Sequence, residues 1–154
     1  LYTGLVEQIK PTDDELAQVI GHEIAHALAN HSAEKMSVSM ASSLGILAIG
    51  IATDTPGVTA GAAAAALVAV TLPNSRTAET EADRIGIELA AKAGFNPHAA
   101  VSLWEKMEKV SGGSPVDFLS THPSSGKRQQ RLGKLVPQMT PYYEDRGKRP
   151  VYPL

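Results

Sequence analysis

Apolar residues recur at helical spacing along much of the chain. Leu16, Val19, Ile20, Ile24, Ala27 and Leu28 fall at intervals of three and four, which predicts an amphipathic helix from about residue 13 to at least residue 30. Thr12-Asp13-Asp14-Glu15 has the form of a capping box, a hydroxyl at the N-cap with a carboxylate three residues on. Pro11 discourages helix upstream of it. The opening LYTGLV reads as the end of a strand running into a turn at Gly4.

Residues 36–72 differ in character. They are rich in Ala, Gly, Ser and Ile and almost free of charge. An apolar run at residues 44–52 and a second at 58–72 are separated by the turn residues Thr53-Asp54-Thr55-Pro56-Gly57. Neither run reaches the ~20 residues that span a bilayer, so a buried helical hairpin is expected. A hairpin that touches a membrane or a partner is the alternative. Pro73-Asn74 closes the region.

An amphipathic helix is predicted next, from Arg76 to about Ala93, with Ala78, Ala82, Ile85, Leu89 and Ala93 on its inner stripe. Gly94 stands where a left-handed C-cap belongs, and Asn96-Pro97 reads as the N-cap and first position of another helix. That helix carries Ala100, Val101, Leu103, Trp104 and Met107 inward and ends near Ser111-Gly112-Gly113-Ser114. A loop through STHPSSG leads to a last helix from Lys127 to about Leu135. The segment from Pro137, with Pro141, Pro150, Pro153 and a small Arg146/Lys148/Arg149 cluster, reads as an irregular, solvated tail. The fold class expected is mainly α with at most a small sheet remnant at the N-terminus. The organisation expected is one domain over residues 1–136 with a tail over 137–154.

Composition narrows the chemistry. The chain has 154 residues, 43% hydrophobic, with a net charge of -2. That is ordinary for a folded domain and excludes disorder as the default. A near-neutral balance argues against nucleic acid recruited by charge. There are no cysteines, which removes disulfides, thiolate metal sites and a cysteine nucleophile. The chain begins at Leu1 without a leader pattern, so a processed product or a piece of something longer is expected.

The chemistry concentrates at His22-Glu23-Ile24-Ala25-His26. Two histidines at i and i+4 on a helix stand about 40° apart around the axis, one turn along, so both imidazoles can reach one metal ion. Glu23 leaves the same face, where it can take a proton from an attacking water. This is the H-E-x-x-H arrangement of zinc hydrolases. A third ligand is needed. The subclass with a third histidine six residues past the second, and a glycine between, is excluded because Ala29 and Ser32 occupy those positions. His31 lies about 140° around the helix from His26 and reads as a helix-end residue. His98, at a helix start beside Pro97, has no role by pattern.

A carboxylate from a second helix is the other source. Glu79 and Asp83 share a face at i and i+4, with Glu81 pointing away. Glu79 could bind metal while Asp83 accepts the ring N–H of a ligand histidine. By spacing alone, an acidic helix start favoured by the helix dipole accounts for them equally well.

HEIAHALANH, RTAETEADRIG and FLSTHPSSGKRQQRL, in that order, resemble the gluzincin metallopeptidases of family M forty-eight. That family includes prenyl-protein proteases and the HtpX/BepA/LoiP-like envelope proteases, and the resemblance is closest to the soluble periplasmic branch. It implies a zincin-like fold with one zinc per chain, held by His22, His26 and Glu79. It implies Glu23 as general base and Asp83 as the support of a ligand. His122 matches a family histidine that stabilises the oxyanion or, in a latent form, occupies the open metal position. Arg128 matches an arginine that accompanies that motif. The resemblance further implies polypeptide substrates, unfolded or misfolded, and a place in the bacterial cell envelope, periplasmic or membrane-associated. Relatives carry more chain before LYTGLV, including strands at the cleft, so this chain is expected to lack its front edge.

The function expected is a zinc-dependent endopeptidase in protein quality control. The alternatives are a zinc-stabilised, proteolytically latent chaperone-like module, favoured by the missing front edge and the uncharged region of residues 36–72, and a zinc hydrolase of non-peptide substrates.

Overall fold

A computed structural model describes residues 3–53, 56–111, 122 and 127–144. Six helices follow one another there: α1 (Thr3–Ile9), α2 (Asp13–Leu28), α3 (His31–Thr53), α4 (Pro56–Lys92), α5 (Ala99–Ser111) and α6 (Arg128–Glu144). No strand occurs among the described residues. The chain divides into two compact units, one of Leu1–Ala25 with Ala82–Leu154, the other of His26–Glu81. The division falls inside α2 and α4.

The first unit holds the apolar core. Leu5 and Ile9 of α1, Val19 of α2, Ile87 and Ala91 of α4, Ala100, Leu103, Trp104 and Met107 of α5, and Leu132, Val136 and Met139 of α6 form one buried cluster. Each large side chain here contributes roughly 1.5–3 kcal/mol by leaving water. The expected strand at the N-terminus is therefore corrected. Leu5 and Ile9, one helical turn apart, bury together on α1, and α1 stops at Lys10, whose φ is 46°.

The predicted caps form. Glu15 N–H donates to Thr12 Oγ1 at 3.3 Å and Thr12 N–H donates to Glu15 Oε2 at 2.8 Å, which closes the capping box of α2. Gly94 sits at φ 87°, with its own N–H on Ala91 O and Phe95 N–H on Ala90 O, a Schellman end to α4. Asn96 Oδ1 accepts from His98 N–H at 2.9 Å, the N-cap of the α5 turn.

The buried face of α2 differs from the expected apolar stripe. Glu15, Gln18, Val19, His22 and Ala25 are buried, whereas Ile20, Ile24 and Leu28 are exposed. Polar groups can hold that face because they have partners: Glu15, for one, takes Ser102 Oγ at 2.7 Å and Lys106 Nζ at 2.6 Å from α5. Among the described residues of α4 the buried positions are Glu79, Ala82, Asp83, Gly86, Ile87, Ala90 and Ala91, and the expected inner residue Ala93, just past the helix, is exposed.

Two further expectations change. Helix α4 continues through Pro73 rather than restarting at Arg76. Helix α6 continues through Pro137 and Pro141 to Glu144, so residues 137–144 are not an irregular tail. Burial of Val136 and Met139 on either side of Pro137 outweighs the lost N–H there, and Thr140 Oγ1 donates to Val136 O at 2.8 Å. The basic Arg146/Lys148/Arg149 cluster and the loop at residues 112–121 lie outside the described residues.

In the second unit, α3 is 23 residues long, about 35 Å at 1.5 Å per residue. Met36, Met40, Leu44, Leu47 and Ile51 are 60–77% exposed, at spacings of three and four that put them on one face. The buried hairpin expected from composition is thus corrected for α3, on which His31 is the one buried residue among those described. The apolar run extends into a longer helix, and residues 31–52 are long and apolar enough to cross a membrane by length and composition.

Candidate metal centre

In the first unit, His22 is 5% exposed and its Nδ1 lies 3.1 Å from Asp83 Oδ1. Arg128, 1% exposed, holds the same Asp83 oxygen at 2.5 Å and lies over the Trp104 ring at 3.9 Å from its centroid. Arg128 Nη2 also stands 3.3 Å from His22 Nδ1. A guanidinium only donates and a carboxylate only accepts, so the two contacts ask for opposite tautomers. With Nδ1–H donating to the carboxylate, the shorter of the two contacts, the Nε2 lone pair would be left for a metal. Gln18, His22, Asp83, Trp104 and Arg128 are among the lining of a small cavity at this point.

His122 stands opposite. Its Nδ1 is 3.2 Å from His22 Nε2, and its Nε2 is 3.2 Å from Glu23 Oε1. If His122 Nε2–H donates to Glu23, two nitrogen lone pairs face each other, an arrangement that needs a cation or a proton between them. The spacing also suits a shared cation, since the edge of a tetrahedron around zinc with bonds of ~2.05 Å is about 3.3 Å. Glu23 is the most open member of the group, its side chain 47% exposed.

In the second unit, His26 Nε2 is 3.2 Å from Glu79 Oε1, with side chains 18% and 11% exposed. His26 Nδ1 is 2.8 Å from His31 Nδ1, and His31 Nε2 is 3.4 Å from Glu81 Oε2. The candidate ligand residues of the first unit are His22 and His122, and those of the second are His26 and Glu79. The donor chemistry, imidazole nitrogens with one carboxylate, fits zinc.

The site residues read from the sequence, His22, Glu23, His26, Glu79, Asp83, His122 and Arg128, are all among the described residues. Sequence reasoning missed the contact of His31 with His26: Asn30 at φ 56° ends α2 and α3 begins at His31, so the helical wheel does not carry across. Glu81, on α4, lies beside His31, a contact that spacing within α4 does not report. Asn30 itself was the available signal, since Asn is one of the few residues that enters the left-handed region readily.

Residues 1–136 match the model of Peptidase family M48. The chain is 38% identical over 140 residues to the mitochondrial metalloendopeptidase OMA1 of Schizosaccharomyces pombe, covering 90% of this chain and 41% of that protein. Human OMA1 is 36% identical over 151 residues, covering 90% of this chain and 28% of that protein. The metalloprotease LoiP of Escherichia coli is 28% identical over 138 residues, covering 86% and 52%. The chain therefore spans roughly half or less of these relatives. No solved structure matches it. The chain belongs to Peptidase family M48.

Proposed function

We propose that this chain carries the catalytic centre of a zinc-dependent endopeptidase, with one zinc held by His22, His26 and Glu79. The observation that carries the reading is the pairing on α2: His22 with Nδ1 on Asp83, and, one turn on, His26 with Nε2 beside Glu79. Membership of a peptidase family supports polypeptides as the substrate class.

Bound zinc would supply a Lewis acid for the scissile carbonyl and its attacking water. The protein groups divide the remaining work. Asp83 fixes His22 in the Nδ1–H form, and Arg128, clamped over Trp104, holds Asp83. Glu23, half in solvent, takes the proton of the attacking water and delivers it to the leaving amine. His122, swung from His22 toward the substrate, donates to the oxyanion, an effect of roughly 10²–10³ in rate.

The short His22–His122 spacing favours a second reading of the same site. With His122 as a fourth ligand the centre is closed and latent, and proteolysis needs His122 to move aside. We further propose unfolded or misfolded polypeptides as substrates, in protein quality control. The support for that finer role, and for the bacterial cell envelope as its place, is the resemblance alone; the OMA1 relatives are named mitochondrial. The exposed apolar face of α3 supports contact with a bilayer, since residues 36–53 carry no charge.

Metal analysis with casein cleavage tests the centre. Glu23→Gln is expected to keep zinc and lose most cleavage. Cleavage by that variant at the parent rate would overturn the assignment of the base, and full zinc occupancy in Glu79→Ala after dialysis would remove Glu79 from the ligands.

A further inference from the structure

We propose that His31 is a positioning residue that selects the metal-binding tautomer of His26, with Glu81 as the end of the relay. This inference rests on the reading of His26 as a metal ligand. Imidazole binds metal through a nitrogen lone pair, so the ring must carry its proton on the other nitrogen. For His26 to present Nε2 beside Glu79, its proton must sit on Nδ1 and needs an acceptor there. His31 Nδ1 stands 2.8 Å from that nitrogen.

A histidine accepts at Nδ1 only if its own proton is on Nε2. Glu81 supplies the reason for that, since its Oε2 lies 3.4 Å from His31 Nε2 and a carboxylate accepts. The three groups then have one self-consistent arrangement: His31 Nε2–H to Glu81, His26 Nδ1–H to His31, and the His26 Nε2 lone pair free to bind. The reverse arrangement would place the His26 proton on the nitrogen beside Glu79 and leave nothing for a metal.

The fold builds this contact. Asn30 at φ 56° breaks α2 from α3 and puts His31 at the first position of α3, where its ring meets His26 edge to face with centroids 4.9 Å apart. His31 is 7% exposed, on a helix whose other described residues are all more exposed. On the Nδ1 side of His26 the imidazole of His31 stands where Asp83 stands beside His22.

The test uses the full protein and zinc itself, with affinity read by competition against a chromophoric chelator and folding read by circular dichroism. His31→Phe keeps the ring and removes both nitrogens; zinc affinity is expected to fall by roughly 10–100-fold. His31→Asn puts an acceptor oxygen near the position of Nδ1 and is expected to recover most of the loss. Parent affinity in His31→Phe, or equal weakening in a folded His31→Asn, would overturn the proposal. Long-range proton–nitrogen spectra of the zinc-loaded parent decide the case even if His31→Phe does not fold: His26 is expected to be protonated on Nδ1 and bonded to zinc through Nε2, and bonding through Nδ1 would overturn the proposal. His26→Ala separates the two claims. Zinc retained in that variant removes the ligand reading, whereas zinc lost there with parent affinity in His31→Phe removes this inference alone.

Discussion

Gly21 of α2 and Gly86 of α4 meet backbone to backbone. A Cβ on Gly21 would stand 2.6 Å from the Gly86 carbonyl oxygen, and one on Gly86 would stand 2.7 Å from the His22 amide nitrogen. The obstructing atoms are main chain, so neither helix can give way locally. Gly86→Ala gains about 1 kcal/mol in helix propensity but costs roughly 1–3 kcal/mol or more by overpacking. A net loss of about 1–2 kcal/mol in urea denaturation is expected, with weaker zinc binding because the displaced residue is His22. A stabilised variant would show that the crossing is looser than this.

Glu15 ties α2 to α5 and makes stability depend on acid. Burial alone would raise its pKa, and is the largest single influence, but the bonds from Lys106, the Thr12 N–H and Ser102 together outweigh it and hold the carboxyl below 4.5. A depressed carboxylate contributes its stabilisation above the unfolded pKa and loses it as pH falls through the folded value. Stability is therefore expected to decline below about pH 4.5. Glu15→Gln should remove this component from the acid limb and cost about 1 kcal/mol at neutral pH, since Lys106 is partly solvated. An acid limb unchanged in Glu15→Gln would assign the decline to other carboxyls.

Arg128 is expected to be among the most sensitive positions of the first unit. Arg128→Leu leaves the 7%-exposed Asp83 carboxylate without its guanidinium and should cost roughly 3–5 kcal/mol. Arg128→Lys restores charge but not the flat stack over Trp104, so it should recover only part of the loss. Thermal unfolding of the two variants gives the comparison, and a lysine variant equal to the parent would reduce Arg128 to a simple charge.

The exposed face of α3 predicts a separation of folding from membrane contact. Met40→Glu with Leu44→Glu should leave unfolding free energy within about 0.5 kcal/mol per site, because neither side chain is buried. Sedimentation with lipid vesicles should fall at the same time. A large loss of stability would mean that the folded protein itself covers this face.

Local chemistry was legible in the sequence wherever neighbours in the chain decide it. The capping box at Thr12 and Glu15, the Gly94 end of α4 and the α5 apolar positions depend on a few adjacent residues, and all three form. The pairing of His22 with His26 on one helix face follows in the same way from a spacing of four. By contrast, spacing could not choose between ligand and helix-dipole roles for Glu79 and Asp83; their neighbours His26 and Arg128 lie 53 and 45 residues away in the chain, contacts no local pattern reports. The exposure of α3 was hidden for a related reason: an uncharged helix has the same composition whether it faces a core or a bilayer. The passage of α6 through Pro137 depended on Val136 and Met139 finding the core.

The sequence by itself determined which helices can start and stop, and that two imidazoles and a carboxylate share one face of α2, because backbone sterics and a period of 3.6 residues act over short range. Only the tertiary structure decided what stands beside a ring nitrogen of each histidine: Asp83 Oδ1 beside His22 Nδ1 and His31 Nδ1 beside His26 Nδ1, each neighbour placed by the fold rather than by the residue's own helix face.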